Sequence, residues 1–328
     1  MNYEITSHLS AKAYEGWKKL IESAGLDTQG GAARTLLVYD GEQIVATGSR
    51  DGYVLKHIAV ADSHRGEDLT STILTELRKD AFEDGFTHLF LYTKPSNLYM
   101  FESLFFYPVA TTDSVLVMEN KKDGVKDFIA SLEKAKASGT VGAVVMNCNP
   151  FTKGHRALIE RAAAECDHVY VFILSEDKSE FSTSDRMNMV RLGTADIPNV
   201  TVLPTGPYLI SSATFPTYFI KDRDAAANAA CEADIKIFSE YFAKELAITR
   251  RYVGTEPNSA LTATYNRLLK EKLPKSGVEV VEIDRICEGD TPISASTVRK
   301  CIKNGDVSAL SNLVPKTTLD YLTKNNLI

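Results

Sequence analysis

Apolar positions along the chain follow two patterns. In the first third the runs are short and broken by turn residues. Thr35-Leu36-Leu37-Val38-Tyr39 leads to Asp40-Gly41 and then to Gln43-Ile44-Val45-Ala46-Thr47-Gly48. Two such runs about an Asp-Gly pair predict a β-hairpin. Leu69, Ile73, Leu74, Leu77 and Ala81 recur at helical spacing over 68–84, which closes near Gly85. Residues 88–92 read as a strand. This order predicts an α+β domain over 1–119. From 139 onward the pattern changes. Val141–Met146 and 168–174 are near-continuous apolar runs, as expected of parallel strands covered on both faces. Helical spacing follows over 154–165, 184–193, 222–247, 258–272 and 294–303, with strands expected at 200–203, 251–253 and 278–283. Strand–helix alternation of this kind predicts a doubly wound parallel sheet over 139–328. The polar, helical stretch over 120–138 is expected to link the two domains.

Composition agrees with two domains. The chain has 328 residues, against roughly 150 per domain. Its 43 acidic and 37 basic residues give a net charge of −6, which argues against a general nucleic-acid binder with a basic stripe. Five cysteines (Cys148, Cys166, Cys231, Cys287, Cys301) are scattered without zinc spacing, which reads as reduced thiols and no metal-ligating set. No apolar run approaches the ~20 residues of a membrane span. The opening Met1-Asn2-Tyr3-Glu4-Ile5 lacks the regions of a signal peptide. The expectation is a cytoplasmic protein that acts neither on membranes nor on nucleic acid.

Two segments carry candidate chemistry. In the first, the run ending at Met146 passes through Asn147-Cys148-Asn149-Pro150-Phe151 into Thr152-Lys153-Gly154-His155. Ligands of open α/β sheets bind beyond the carboxyl ends of strands, where helix N-termini offer free N–H groups to phosphate. Thr152 and His155 are three apart across the helix start, so both can face one bound group. Gly154 would let the backbone approach a nucleotide. An ordinary strand-turn-helix with a surface histidine has the same tetrapeptide, but its place after the domain's first strand favours function. The second segment is Ile293-Ser294-Ala295-Ser296-Thr297-Val298-Arg299, after Pro292. Ser294 is a natural N-cap, and Ser296 and Arg299 together suit a second phosphate site. Alone it would be a capped helix with a solvated arginine. Two half-complete phosphate sites in one domain are harder to attribute to chance.

Together, Thr152-x-Gly154-His155 and Ile293-Ser294-x-Ser296-x-x-Arg299 resemble the (H/T)xGH and ISSTxxR motifs of the nucleotidyltransferase superfamily. Ala295 and Ser296 stand where Ser and Thr are usual. Val253-Gly254-Thr255-Glu256-Pro257, with Tyr265-Asn266 after it, is similar to the loop that superfamily places near adenosine. Asn147-x-Asn149-Pro150-Phe151, Ser175-Glu176-Asp177, Ser211-Ser212-Ala213-Thr214-Phe215-Pro216 and Arg250-Arg251-Tyr252 narrow the resemblance to the citrate lyase ligase family, over essentially the whole chain. That resemblance implies an enzyme that activates acetate with ATP and Mg²⁺. It would then acetylate the thiol of a CoA-derived prosthetic group on the citrate lyase acyl carrier subunit. It implies catalytic roles for His155, Thr152 and Arg299. ATP contacts would come from Asn147, Asn149, Pro150, Phe151, Gly154, Lys178, Gly254, Thr255, Glu256, Ile293, Ser294 and Ser296.

In the front domain, Arg65-Gly66-Glu67-Asp68-Leu69-Thr70 and Asn97-x-Tyr99-x-Phe101 resemble GNAT acetyltransferases. Asp68 and Thr70 occupy positions where active members carry small residues beside the pyrophosphate of acetyl-CoA. A retained fold without acetyl-CoA turnover is therefore expected. Two rival activities stay open at this point: adenylyl transfer to a phosphorylated vitamin fragment, and acetyl-CoA-dependent acetyl transfer. Arg186 is expected either to contact phosphate or to pair on the surface, and Cys148 to serve packing.

Overall fold

The structure is a computed structural model that describes residues 1–28, 32–135, 139–175, 179–210, 223–256, 259–288 and 291–328. Backbone contacts divide the chain into two compact units, Met1–Asp127 with Ser212–Lys236 and Phe128–Ser211 with Ile237–Ile328.

In chain order the front unit contains β1 (Asn2–Thr6), α1 (Ala11–Ser23), β2 (Arg34–Asp40), β3 (Gln43–Asp51), β4 (Val54–Val60) and α2 (Leu69–Glu83). It continues with β5 (Phe90–Thr93), α3 (Leu98–Glu102), β6 (Tyr107–Thr111) and β7 (Leu116–Glu119). The strands form one sheet in the order β1-β2-β3-β4-β5-β7-β6, antiparallel except for the parallel β4–β5 pair. The expected hairpin is β2–β3, and the expected helix is α2, whose Ile73, Leu77 and Ala81 are fully buried against the sheet. The strand expected at 88–92 begins two residues later. Leu89 gives its N–H to the Asn120 side chain at 2.8 Å, and Phe90 is the first residue in the ladder. β1 escapes the sequence reading because its residues are exposed or half-buried and make no apolar run. α1 escapes because only Trp17, Leu20 and Ile21 of its 13 residues are buried.

The chain passes through α4 (Gly124–Ser131) into β8 (Val141–Met146), α5 (Lys153–Glu165), β9 (His168–Ile173), α6 (Thr183–Gly193), β10 (Val200–Pro204) and α7 (Arg223–Ile237). A π-helical turn, Phe238–Ala243, precedes β11 (Arg250–Gly254), α8 (Ala260–Lys272) and β12 (Glu279–Ile283). The short pair β13 (Cys287–Glu288) and β14 (Thr291–Pro292), then α9 (Ala295–Lys303), α10 (Val307–Leu313) and α11 (Lys316–Lys324), complete it. The rear sheet runs β10-β9-β8-β11-β12, every pair parallel. The expected doubly wound sheet is present, and the helix expected over 222–247 is α7 followed by the π-helical turn. Successive strands step outward from β8 to β10, then the order reverses to β11 on the other side of β8. The crevice where the order reverses is the ligand site of such sheets, and it lies between β8 and β11. Among the described residues no helix is long and apolar enough to cross a membrane.

Candidate active site

At the switch point lies a pocket of about 350 Å³. Its walls come from the ends of β8 (Val145, Met146) and β11 (Arg251 to Gly254), the start of α5, the residues after β12 and the start of α9. Thr152, Gly154, His155, Gly254, Ile293 and Ser294, all expected from sequence, line it. Tyr265 and Asn266 line it too, and Asn266 Nδ2 donates to the Gly254 carbonyl at 2.9 Å.

The start of α5 is organised around one histidine. Thr152 is the N-cap in extended conformation, and its Oγ1 accepts from the His155 backbone N–H at 3.2 Å. In return the Thr152 N–H donates to His155 Nδ1 at 3.1 Å, closing a reciprocal capping box. A nitrogen that accepts an amide N–H carries no proton, so this network assigns the neutral tautomer with hydrogen on Nε2. Burial, and then the charge of Arg285, push the His155 pKa down to about 4. At neutral pH His155 is therefore an uncharged donor, with one nitrogen fixed by its own helix and the other available. The Thr152 hydroxyl, which the resemblance enlists for phosphate, is 1% exposed and engaged with His155, so it orients the imidazole. Phe151, fully buried, stacks on the same ring at 6.1 Å between centroids.

The second motif reaches the first across 150 residues of sequence: Arg299 Nη1 donates to the Asn149 carbonyl at 2.6 Å. Arg299 Nε also lies 3.5 Å from Glu180. Ser294 caps α9 by accepting from Thr297 N–H at 3.1 Å, and its Oγ lies 2.8 Å from Ser296 Oγ and 2.9 Å from Thr297 Oγ1. Three hydroxyls and an arginine thus gather at one helix start. Gly154 is small for a structural reason: a Cβ there would meet the Ile293 carbonyl oxygen at 3.3 Å. The two motifs pack on each other through that glycine.

Other expected residues build the walls without lining the pocket. Asn147 accepts from Arg186 through its carbonyl at 3.1 Å and its Oδ1 at 2.7 Å. Asn149 accepts the Phe181 N–H at 3.2 Å, and the Asn149–Pro150 peptide is cis. Thr255 and Glu256 hold Arg285, and Ser296 stays exposed beside Ser294. Arg186 is fully buried, which excludes surface pairing. It also donates to the carbonyls of Leu174 (2.8 Å) and Phe181 (3.1 Å), and so ties the loops after β8 and β9 to α6. Burying a guanidinium costs several kcal/mol unless its donors are used, and these bonds use them. Cys148 is buried with its thiol pushed well up by burial, as a packing residue would be. Lys178, Glu176, Asp177, Pro257 and the 211–216 string lie outside the described residues. Sequence reasoning missed Arg285, whose only signal was a basic residue just past a strand end.

The chain is similar to known proteins over most of its length. A family model described as the citrate lyase ligase C-terminal domain matches residues 141–322. Over 288 residues the chain is 42% identical to the citrate (pro-3S)-lyase ligase of Escherichia coli (strain K12), spanning 86% of this chain and 82% of that protein. Among solved structures, an acyl-CoA N-acyltransferase from Pseudomonas aeruginosa is 15% identical, with 37% of this chain and 100% of that chain covered and a TM-score of 0.31. Thermotoga maritima TmcAL bound with alpha-thio ATP is 13% identical, with 56% and 55% covered and a TM-score of 0.39.

Proposed function

The chain belongs to the citrate lyase ligase family and is an enzyme, and on that premise we propose that it uses ATP to acetylate the acyl carrier subunit of citrate lyase through acetyl-adenylate. An acetate oxygen attacks the α-phosphorus in line, the bond to the bridging oxygen breaks, and pyrophosphate leaves. The thiol of the carrier's CoA-derived prosthetic group then displaces AMP from the acetyl carbon. The reading is supported above all by the junction of the two motifs at the switch point, where Arg299 meets the Asn149 carbonyl and Gly154 meets Ile293. His155 Nε2–H is the donor to charge that develops on the α-phosphate, and Thr152 holds it in register. Arg299, Ser294 and Ser296 take the β- and γ-phosphates. Acetate and ATP are positioned and stabilised electrostatically, with no covalent nucleophile on the protein.

Mg²⁺ would enter on the nucleotide. Among the described residues no group of three or more His, Cys, Asp and Glu side chains could hold a metal ion. Such an ion keeps most of its waters and binds chiefly through substrate phosphates. It would offset the negative charge of the departing pyrophosphate. The test is ATP–pyrophosphate exchange by the purified protein with acetate, propionate or pantetheine phosphate as the only acceptor. Exchange with acetate alone is expected. Exchange that requires the phosphorylated acceptor would replace this reading with adenylyl transfer to a vitamin fragment.

A further inference from the structure

Arg285 lines the pocket beside Thr152, His155 and Ser294 but belongs to neither phosphate motif. It follows β12, and both its backbone and its side chain are fastened. Its N–H donates to Thr255 Oγ1 at 3.3 Å, its Nε to the Thr255 carbonyl at 2.7 Å, and its Nη2 to Glu256 Oε2 at 2.5 Å. These bonds occupy the Nε–Nη2 edge of the guanidinium. Nη1, at the opposite end of the fork, donates to none of the described residues, and the side chain is 29% exposed while that of Glu256 is 9% exposed. The ion pair is therefore oriented, with its negative end nearly covered and its positive end in part open. Its charge reaches His155, where it acts with burial to keep the imidazole neutral.

The other two arginines of the pocket are differently placed. Arg161 is 61% exposed and pairs with Glu165, one helical turn along. Arg251 is buried with its guanidinium 4.6 Å over the Phe238 ring. The proposed reaction brings two anionic groups, a carboxylate and the α-phosphate, to within bonding distance beside a histidine that carries no charge. A fixed guanidinium offsets their repulsion, and its planar fork matches either group.

We propose that Arg285 is an anion-binding residue of this site, its Nη1 end directed to the oxygens of the reacting carboxylate or α-phosphate, with Thr255 and Glu256 as its positioning residues. The proposal builds on the acetate-activating reading and adds a cation that neither motif contains. It is tested in the full chain with Arg285→Gln and Arg285→Lys. The readouts are thermal melting, ATP binding by calorimetry without acid, the Michaelis constant for acetate in pyrophosphate exchange, and titration of the His155 imidazole by NMR. Arg285→Gln is expected to weaken binding of ATP or acetate at least tenfold while still melting cooperatively, and Arg285→Lys to restore part of the loss. A change in ATP binding identifies the α-phosphate as the anion, and a change confined to acetate identifies the carboxylate. The His155 pKa should rise from about 4 in both, by more in the Gln variant, because one of its two depressing influences is gone or displaced. If the Gln variant does not fold, the Lys variant is read against wild type by the same measures. Binding constants within twofold of wild type in a folded variant overturn the proposal. Wild-type protein that exchanges nothing with acetate would sink the functional reading instead, and ATP binding would then decide on Arg285 as a residue for the α-phosphate, unchanged binding overturning it.

Discussion

Two of the turns from strand to helix invite comparison, because a helix N-terminus could face phosphate at each: after β4 at α2 in the front unit and after β8 at α5 in the rear one. The helices are similar in length, 15 and 13 residues, so their backbone dipoles are alike, and these dipoles act mainly over the first turn. The side chains at the two starts differ. At α2 the N-cap is Asp68 in left-handed conformation (φ 56°), with no side-chain capping bond. Asp68 lines a cleft of about 700 Å³ with His64, Arg65, Gly66 and Thr70. At α5 the N-cap is an uncharged threonine that accepts one N–H and aligns a neutral histidine. A carboxylate at the first start repels an incoming anion, whereas the second presents a positioned donor. On the proposed reading, a helix dipole supplies only a background attraction, and the capping side chains decide whether it becomes a site.

The largest effect expected from this contrast is at His155. His155→Ala removes a donor aimed at charge that appears in the transition state, which typically costs on the order of 10²–10³ in rate. ATP binding should change much less. The capping box is also lost, so stability should fall by about 1 kcal/mol. That deficit depends on pH with a definite sign. Folded His155 has a pKa of about 4, against roughly 6.5 unfolded, so the unfolded chain takes up the proton first. Its contribution to stability is complete above pH 6.5 and is lost as pH falls toward 4. Wild type should therefore lose stability relative to the variant as pH falls through that window, its advantage at neutral pH shrinking and then reversing. Near-native turnover by a folded variant would show that the α5 start is no more specialised than the α2 start.

A smaller effect is expected at Arg299. Its guanidinium already bonds the Asn149 carbonyl through Nη1 and has Nε 3.5 Å from Glu180, and Nη2 is left for phosphate. Lysine carries the charge but cannot serve both partners. A charged hydrogen bond contributes about 1.5–3 kcal/mol, and 1.4 kcal/mol is a factor of ten. Arg299→Lys should therefore raise the Michaelis constant for ATP about tenfold and lower turnover, with the acetate constant nearly unchanged. Steady-state kinetics with each substrate varied separately measures this. A shift confined to acetate would reverse the placement of the nucleotide.

The rear sheet could be read in the sequence because strands covered on both faces give unbroken apolar runs, and the motifs could be read because they lie at fixed offsets from strand ends. The partnerships within the site left no such trace. Arg285 acquires its place from Thr255 and Glu256, about 30 residues earlier, through bonds that exist only once β11 and β12 pair. Arg186 looked like a helix-start residue open to solvent or phosphate, and nothing in the spacing of charges revealed that it is buried under two loops. Gly154 was expected to make room for a ligand. That it also makes room for the Ile293 carbonyl depends on a contact between helices far apart in sequence.

The smallest effect is expected at Asp68, and it tests the contrast from the other side. A left-handed φ strains an L-residue, although aspartate tolerates it better than most, and glycine adopts it freely. Glycine also has more freedom to lose on folding. The two terms oppose each other, so Asp68→Gly should shift stability by no more than about 1 kcal/mol. Acetate-dependent exchange should stay within twofold, because the donors assigned to that reaction are on α5, on α9 and just after β12. The informative measurement is diphosphate binding, followed through the amide resonances of Ser71 and Thr72 in the first turn of α2. The substitution removes the repelling charge and leaves the helix dipole, yet it adds no positioned donor. If capping side chains decide, diphosphate should still bind only weakly, with a dissociation constant no tighter than about a millimolar, a level of affinity worth roughly 4 kcal/mol. Micromolar binding would mean that one carboxylate was all that separated the two helix starts. The arrangement of Thr152 and His155 would then matter for catalysis rather than for the capture of phosphate.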